Sequence, residues 1–168
     1  VIVSQDADLG IAITAAVFGA VGTAGQRCTT TRRLIIHEKV YNKFKGMLVN
    51  AYAQLKIGSP MNEKNHVGPL IDKDAVRMYL DAIEKCKAEG GQFIVEGGVL
   101  KGKGYESGCY VKPCIAEVKN HYQIVQHETF APILYIMKYK TIDEAIRMQN
   151  DVPQGLSSAI ITNNLRES

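Results

Sequence analysis

The chain has 168 residues, 46% hydrophobic and 22% charged, with 20 Lys and Arg against 17 Asp and Glu for a formal net charge of +3. That is enough apolar material for one core of ordinary domain size, without a strong field of either sign. The basic residues are scattered, and the 8 Tyr and 4 Phe do not interleave with them as a base-stacking groove requires, which points away from nucleic acid and toward small-molecule chemistry.

Asp6 and Asp8 precede Leu9, Ile13, Val17 and Ala20, a spacing that predicts a helix begun by an acidic cap and stopped by Gly22 and Gly25. Residues 30–37, with Leu34-Ile35-Ile36, read as a short buried strand. A helix follows with Tyr41, Phe44, Leu48, Ala51 and Leu55 on one face, ended by Gly58-Ser59-Pro60. Residues 61–70 form a polar loop containing Gly68-Pro69. A second helix then aligns Ala75, Tyr79, Ala82 and Cys86 and stops at Gly90-Gly91.

Phe93-Ile94-Val95 reads as a strand, and residues 97–108 as a glycine- and lysine-rich turn or hairpin region on the surface. Residues 110–118 are extended but interrupted by Pro113, which predicts an edge or irregular strand. Residues 133–139 form a stronger strand, followed by a helix over 142–149 and a strand over 158–162. This alternation predicts an α/β fold with a largely parallel sheet flanked by helices, in one continuous unit without internal repeats.

The longest apolar run, residues 11–21, is rich in Ala and Gly and too short to cross a bilayer, so no membrane span is expected. Val1-Ile2-Val3-Ser4-Gln5-Asp6 offers neither an initiator Met nor a signal-peptide layout, and the expectation is a piece of a longer polypeptide. Cysteines at 28, 86, 109 and 114 form no CxxC pair and are expected as free thiols, as in a reducing compartment.

Two glycine patterns fail their tests. Gly97, Gly102 and Lys103 approach P-loop spacing, but Gly104 stands where Ser or Thr is needed. Gly19, Gly22 and Gly25 follow a helix rather than a strand and do not form GxGxxG. The histidines at 37, 66, 121 and 127 lack metal-ligand spacing, so no metal site is expected. No Gly-x-Ser-x-Gly elbow is present.

Cys28 is different, lying in Gly25-Gln26-Arg27-Cys28-Thr29 just past a helix end, where glycine lets backbone approach a ligand. A thiol there is accessible, and a neighbouring cation such as Arg27 or local amide dipoles would favour the nucleophilic thiolate. An inert buried cysteine is the competing reading. Glu128 lies in His127-Glu128-Thr129-Phe130-Ala131-Pro132 at a loop-to-strand junction. A carboxylate there can accept hydrogen bonds from two vicinal ribose hydroxyls, with the Phe130 ring beside a flat heterocycle. A surface glutamate next to a core phenylalanine is the bland alternative.

Together, Gly25-Gln26-Arg27-Cys28-Thr29 and Glu128-Thr129-Phe130-Ala131-Pro132 resemble the nucleophile and cofactor motifs of the aldehyde dehydrogenase superfamily. Gly68-Pro69-Leu70, Tyr110-Val111-Lys112-Pro113 and Gly155-Leu156-Ser157-Ser158 extend the likeness over essentially the whole chain. The resemblance implies that Cys28 attacks an aldehyde through a thiohemiacetal and a thioester, that NAD is the cofactor, that Glu128 holds its nicotinamide ribose and that Phe130 flanks the ring. It implies that Arg27 faces the carboxylate-bearing end of an amino-acid semialdehyde. It also implies a partial catalytic domain over residues 1–168, with the dinucleotide-binding domain, the general-base glutamate and the oxyanion-hole asparagine outside this chain. The fragment alone is then inactive. A homo-tetrameric parent in the cytoplasm, with the mitochondrion as a second compartment, is the corresponding expectation.

Two other readings stay open. A CoA-acylating semialdehyde dehydrogenase also uses a Gln-Arg-Cys nucleophile motif, and its acyl-CoA product would distinguish it from one that makes the acid. A structural or assembly module that keeps the fold without catalysis would lack the upstream glutamate motif in the complete protein.

Overall fold

The computed structural model describes residues 1–167. In chain order it runs β1 (Ile2–Val3), α1 (Leu9–Val21), β2 (Arg33–His37), α2 (Glu38–Ala53), α3 (Lys73–Ala88), β3 (Gln92–Val95), β4 (Gly98–Val99), β5 (Val111–Lys112), β6 (Cys114–Glu117), α4 (Gln123–Gln126), β7 (Ile133–Tyr139), α5 (Ile142–Asn150) and β8 (Ile160–Ile161). Six strands form one sheet in the order β3-β6-β7-β2-β1-β8, and β4 pairs with β5 in a separate hairpin. The pairs β6–β7, β7–β2, β2–β1 and β1–β8 are parallel, and β3 alone runs antiparallel, at one edge. This is the expected α/β class.

β2 and β7 occupy the middle because their sequences suit burial on both faces. Leu34, Ile35 and Ile36 face Ile136, Met137 and Lys138 in register, and only Lys138 is exposed. Continuous apolar strands of this kind belong between covering helices. Here α2 and α5 both pack on the β2–β7 pair, α3 packs on β3 and α1 packs on α2.

Local signals set the helix starts. Asp8 accepts from the Gly10 and Ile11 amides, Asp72 from Ala75 and Thr141 from Glu144, so α1, α3 and α5 each begin at a side-chain cap. In α1 the most deeply buried stripe is Ala12, Ala16 and Ala20, one residue away from the expected Ile13 and Val17 face. The small alanines allow close approach to α2, while Ile11 and Phe18 are about two-thirds exposed, at 65% and 66%. α2 ends at Ala53, before the glycine-proline signal, with the Gln54 amide donating to the Ala51 carbonyl and the Leu55 amide to the Tyr52 carbonyl.

Of the two readings of residues 110–118, the irregular strand holds and the edge strand is corrected for β6. Pro113 divides it into β5, which belongs to the hairpin, and β6, which lies inside the sheet between β3 and β7. The ladder loses nothing at the missing proline N–H, because the chain changes sheets there and the next amide, Cys114, donates to the Pro132 carbonyl at 3.0 Å. Tyr79 fastens the hairpin to α3 by donating to the Lys112 carbonyl at 2.5 Å while accepting from the Gly98 amide at 3.0 Å. Neither β1 nor the single-turn α4 was anticipated by the hydrophobic pattern, since both are too short to display a period.

Leu134 is fully buried in β7, whereas Met61 is 90% exposed in a loop. Leu134→Ala should lower unfolding free energy by about 2–5 kcal/mol in urea titration, against a change within about 0.5 kcal/mol for Met61→Ala.

Candidate active site

The parallel pairing decides what lies near what. Cys28 precedes the first residue of β2, and Glu128 the first residue of β7, by the same number of residues. Parallel neighbours put both approaches at one edge of the sheet. A cavity of about 520 Å3 opens there, lined by Val1 ahead of β1, by the 28–33 segment, by His127 and Glu128, and by the 155–159 segment ahead of β8. The cavity therefore collects the N-terminal ends of four parallel strands.

Cys28 is exposed on a turn closed by mutual bonds: the Thr30 amide donates to the Arg27 carbonyl, and the Arg27 amide donates to the Thr30 hydroxyl, both at 3.1 Å. These bonds keep residues 27–30 out of β2, which starts at Arg33 rather than at residue 30. The buried-cysteine reading is thereby excluded for Cys28, while Cys86 and Cys114 are buried.

The chain reaches this turn through a strained corner at Gly22–Gly25. Thr23 and Ala24 hold φ of 53° and 52°, in the left-handed region that non-glycine residues rarely adopt, and Gly25 follows at 72°. Gly25 also packs against the other motif, since a Cβ at this position would lie 2.4 Å from the Ala131 carbonyl and 2.6 Å from the Pro132 nitrogen. The Cys28 segment and the Glu128 loop thus meet backbone to backbone at the only residue type that fits. Gln26 fixes the next position, donating to the Pro69 carbonyl at 3.3 Å and accepting from the Ile71 amide at 2.9 Å. That clamp accounts for Gly68-Pro69-Leu70 as a partner of the Cys28 turn.

Glu128 is partly exposed, its side chain at 39%, and borders the cavity with Cys28. One carboxylate oxygen lies 3.6 Å from Arg32 Nη2, an ion-pair distance too long for a strong hydrogen bond. The Phe130 ring lies outside the cavity lining and is covered by the Arg32 guanidinium, 4.9 Å from its centroid. Arg27 is exposed and sits 5.8 Å over the Phe18 ring on the α1 side of the turn.

Sequence reasoning missed Arg32. It is the cation electrostatically coupled to Cys28 and Glu128, and partial burial lowers its pKa from the ordinary value against the pull of those two groups. Nothing local marks it, since Thr31-Arg32-Arg33 carries no period, and its partners come from a loop far along the chain. Arg33 has a different task, bonding Asn120 and the Met148 and Gln149 carbonyls at the end of α5. Among the described residues no cluster of three or more His, Cys, Asp or Glu side chains is placed to hold a metal, and no helix is long and apolar enough to cross a membrane.

Two outcomes follow. Burial pushes the Cys86 thiol up to about 11 and the Cys114 thiol up to about 12, so both stay protonated until the pH rises through those values. At pH 8 iodoacetamide should label exposed Cys28 first, half-buried Cys109 next, and Cys86 and Cys114 only after unfolding, as read by peptide mass spectrometry. Gly25→Ala should destabilise the fold by about 1–3 kcal/mol in thermal or urea unfolding, since the positive φ and the Ala131 contact both oppose a Cβ.

Known proteins resemble this chain in sequence and fold. The model of the aldehyde dehydrogenase family matches residues 1–168. An aldehyde dehydrogenase family 7 member A1 from Malus domestica is 45% identical over 161 residues, covering 96% of this chain and 31% of the relative. An alpha-aminoadipic semialdehyde dehydrogenase from Bos taurus is 45% identical over 166 residues, covering 98% and 30%. Betaine aldehyde dehydrogenase from Staphylococcus aureus, solved with NAD+, superimposes with a TM-score of 0.95 at 26% identity, over 99% of this chain and 33% of that one. The chain spans about a third of the length of the curated relatives it matches. With the whole chain matched and the exposed thiol and loop carboxylate brought to one cavity, the protein belongs to the aldehyde dehydrogenase family.

Proposed function

We propose that this chain is the nucleophile-bearing part of the catalytic domain of an NAD-dependent aldehyde dehydrogenase that oxidises α-aminoadipic semialdehyde to its carboxylic acid. The observation that carries the reading is the meeting of exposed Cys28 and the Glu128 carboxylate at one cavity. The relatives with 45% identity include one named for that semialdehyde, which favours it over other aldehydes.

In this reading the Cys28 sulfur bonds to the aldehyde carbon while the carbonyl electron pair moves to oxygen, giving a thiohemiacetal. When bound, the oxidised nicotinamide supplies the acceptor for the hydride that this carbon loses. The Cys28 thioester that remains is opened by water, releasing the acid and returning a proton to the thiol. Glu128 fits the cofactor because its carboxylate borders the cavity and can accept from two vicinal ribose hydroxyls. The Phe130 ring, fixed on one side by Arg32, would limit where the nicotinamide lies. Arg27, exposed beside the Cys28 turn, would meet the substrate carboxylate. The water-activating base, the oxyanion-hole amide and the dinucleotide-binding domain belong to the rest of the parent, a homo-tetramer, and the 168-residue chain alone is inactive.

The test is NADH formation from α-aminoadipic semialdehyde by the intact parent, by this chain and by parent variants. The parent should turn over and this chain should not. Cys28→Ala should lower kcat by at least about a thousandfold without unfolding the protein. Glu128→Gln should raise the KM for NAD by roughly 10–100-fold through loss of charged hydrogen bonds. An acyl-CoA product that requires added CoA would replace the hydrolytic reading, and no oxidation of any semialdehyde would overturn the enzymatic one.

A further inference from the structure

Arg32 touches both halves of the site. Its Nε donates to the Thr129 carbonyl at 3.2 Å, its Nη1 to the Thr30 carbonyl at 3.1 Å, and Nη1 and Nη2 both to the Arg27 carbonyl at 3.3 Å. The same guanidinium lies 3.6 Å from the Glu128 carboxylate and over the Phe130 ring. Three carbonyls, one carboxylate and one ring face thus converge on a planar cation, and they come from two loops on either side of it. Arginine alone offers planar, forked donors and a stacking face in one side chain, whereas lysine would bring a single nitrogen.

We propose that Arg32 is a positioning residue that locks the Cys28 turn to the Glu128–Phe130 loop and so sets the distance between the attacking sulfur and the nicotinamide ribose. The proposal rests on the dehydrogenase reading above for its catalytic consequence, but the locking itself does not. Gly25 brings the two segments into contact at one point, which leaves rotation about that point open. Arg32 closes it from the opposite end of each loop, at Arg27 and Thr30 on one side and at Glu128–Phe130 on the other. Because its side chain is only 15% exposed, water cannot readily replace it in holding these acceptors.

The experiment compares wild type, Arg32→Lys and Arg32→Gln in the intact parent by two measurements on the same samples. Amide hydrogen exchange reads the lock: in both variants exchange over residues 27–31 and 128–131 should rise together by roughly tenfold, with the β2 and β7 amides unchanged. Steady-state kinetics read the consequence: the KM for NAD should rise and kcat should fall, each by roughly tenfold, with the aldehyde KM within about threefold, and Arg32→Lys should not restore them. In Arg32→Gln, the further effect of Glu128→Gln on the KM for NAD should shrink, because the carboxylate is already misplaced. Unchanged exchange in either loop overturns the proposal, as does an exchange increase spread over the whole sheet. Loosened loops with wild-type kinetics in an active parent overturn it too. If wild-type parent does not oxidise aldehydes, the function proposed above fails, and hydrogen exchange alone decides the lock.

Discussion

Because β2 and β7 run parallel and in contact, the segments that lead into them must emerge at the same edge of the sheet. Every feature of the site depends on this. Cys28 and Glu128 are far apart in sequence, yet each stands the same number of residues ahead of its strand, and the pairing of Arg33 with Tyr135 brings their two loops side by side. The segment ahead of β8 joins them through the β1 bridge. Open α/β sheets ordinarily bind ligands beyond the carboxyl ends of their strands. This one gathers its chemistry at the amino ends.

Shared register brings two loops near each other without fixing their separation. The strained corner at Thr23 and Ala24, the close contact of Gly25 on Ala131 and Pro132, and the Gln26 clamp to Pro69 and Ile71 supply that precision on the Cys28 side. Left-handed non-glycine residues cost about 1–2 kcal/mol each, so they persist only where neighbours over-determine them. The buried β2–β7 core, with Leu34, Ile35, Ile36, Leu134 and Ile136 excluded from water, provides the stability against which such strain is held. A rigid sheet thus carries a tense loop, an arrangement suited to holding the exposed Cys28 thiol in one place.

Much of this was legible in the sequence where physics is local. Asp8 announced one helix, the spacing of Ala75, Tyr79, Ala82 and Cys86 announced another, and the apolar run at 133–139 gave its strand with the observed bounds. Local signals misled where packing ruled. Pro113 read as the mark of an edge or irregular strand; it is the joint between two sheets and leaves β6 in the interior, so only the edge reading fails. In α1 the larger Leu9, Ile13 and Val17 drew attention from the alanine stripe that is more deeply buried. Cys28 and Glu128 were found because their short strings resemble a known family. Arg32 could not be found that way, since its role lies in acceptors supplied by Thr129 and Glu128 after folding. The cation expected beside the thiol was Arg27, whose guanidinium instead rests over Phe18.

In the proposed reaction the aldehyde carbon is oxidised while bonded to the Cys28 sulfur. Rapid acid quench of the intact parent during turnover of α-aminoadipic semialdehyde, followed by peptide mass spectrometry, tests it most directly. An acyl adduct should appear on the Cys28 peptide, forming only when NAD+ is present and decaying as substrate is exhausted. An acyl adduct on Cys86, Cys109 or Cys114 instead, or continued turnover with no adduct at Cys28, would contradict it.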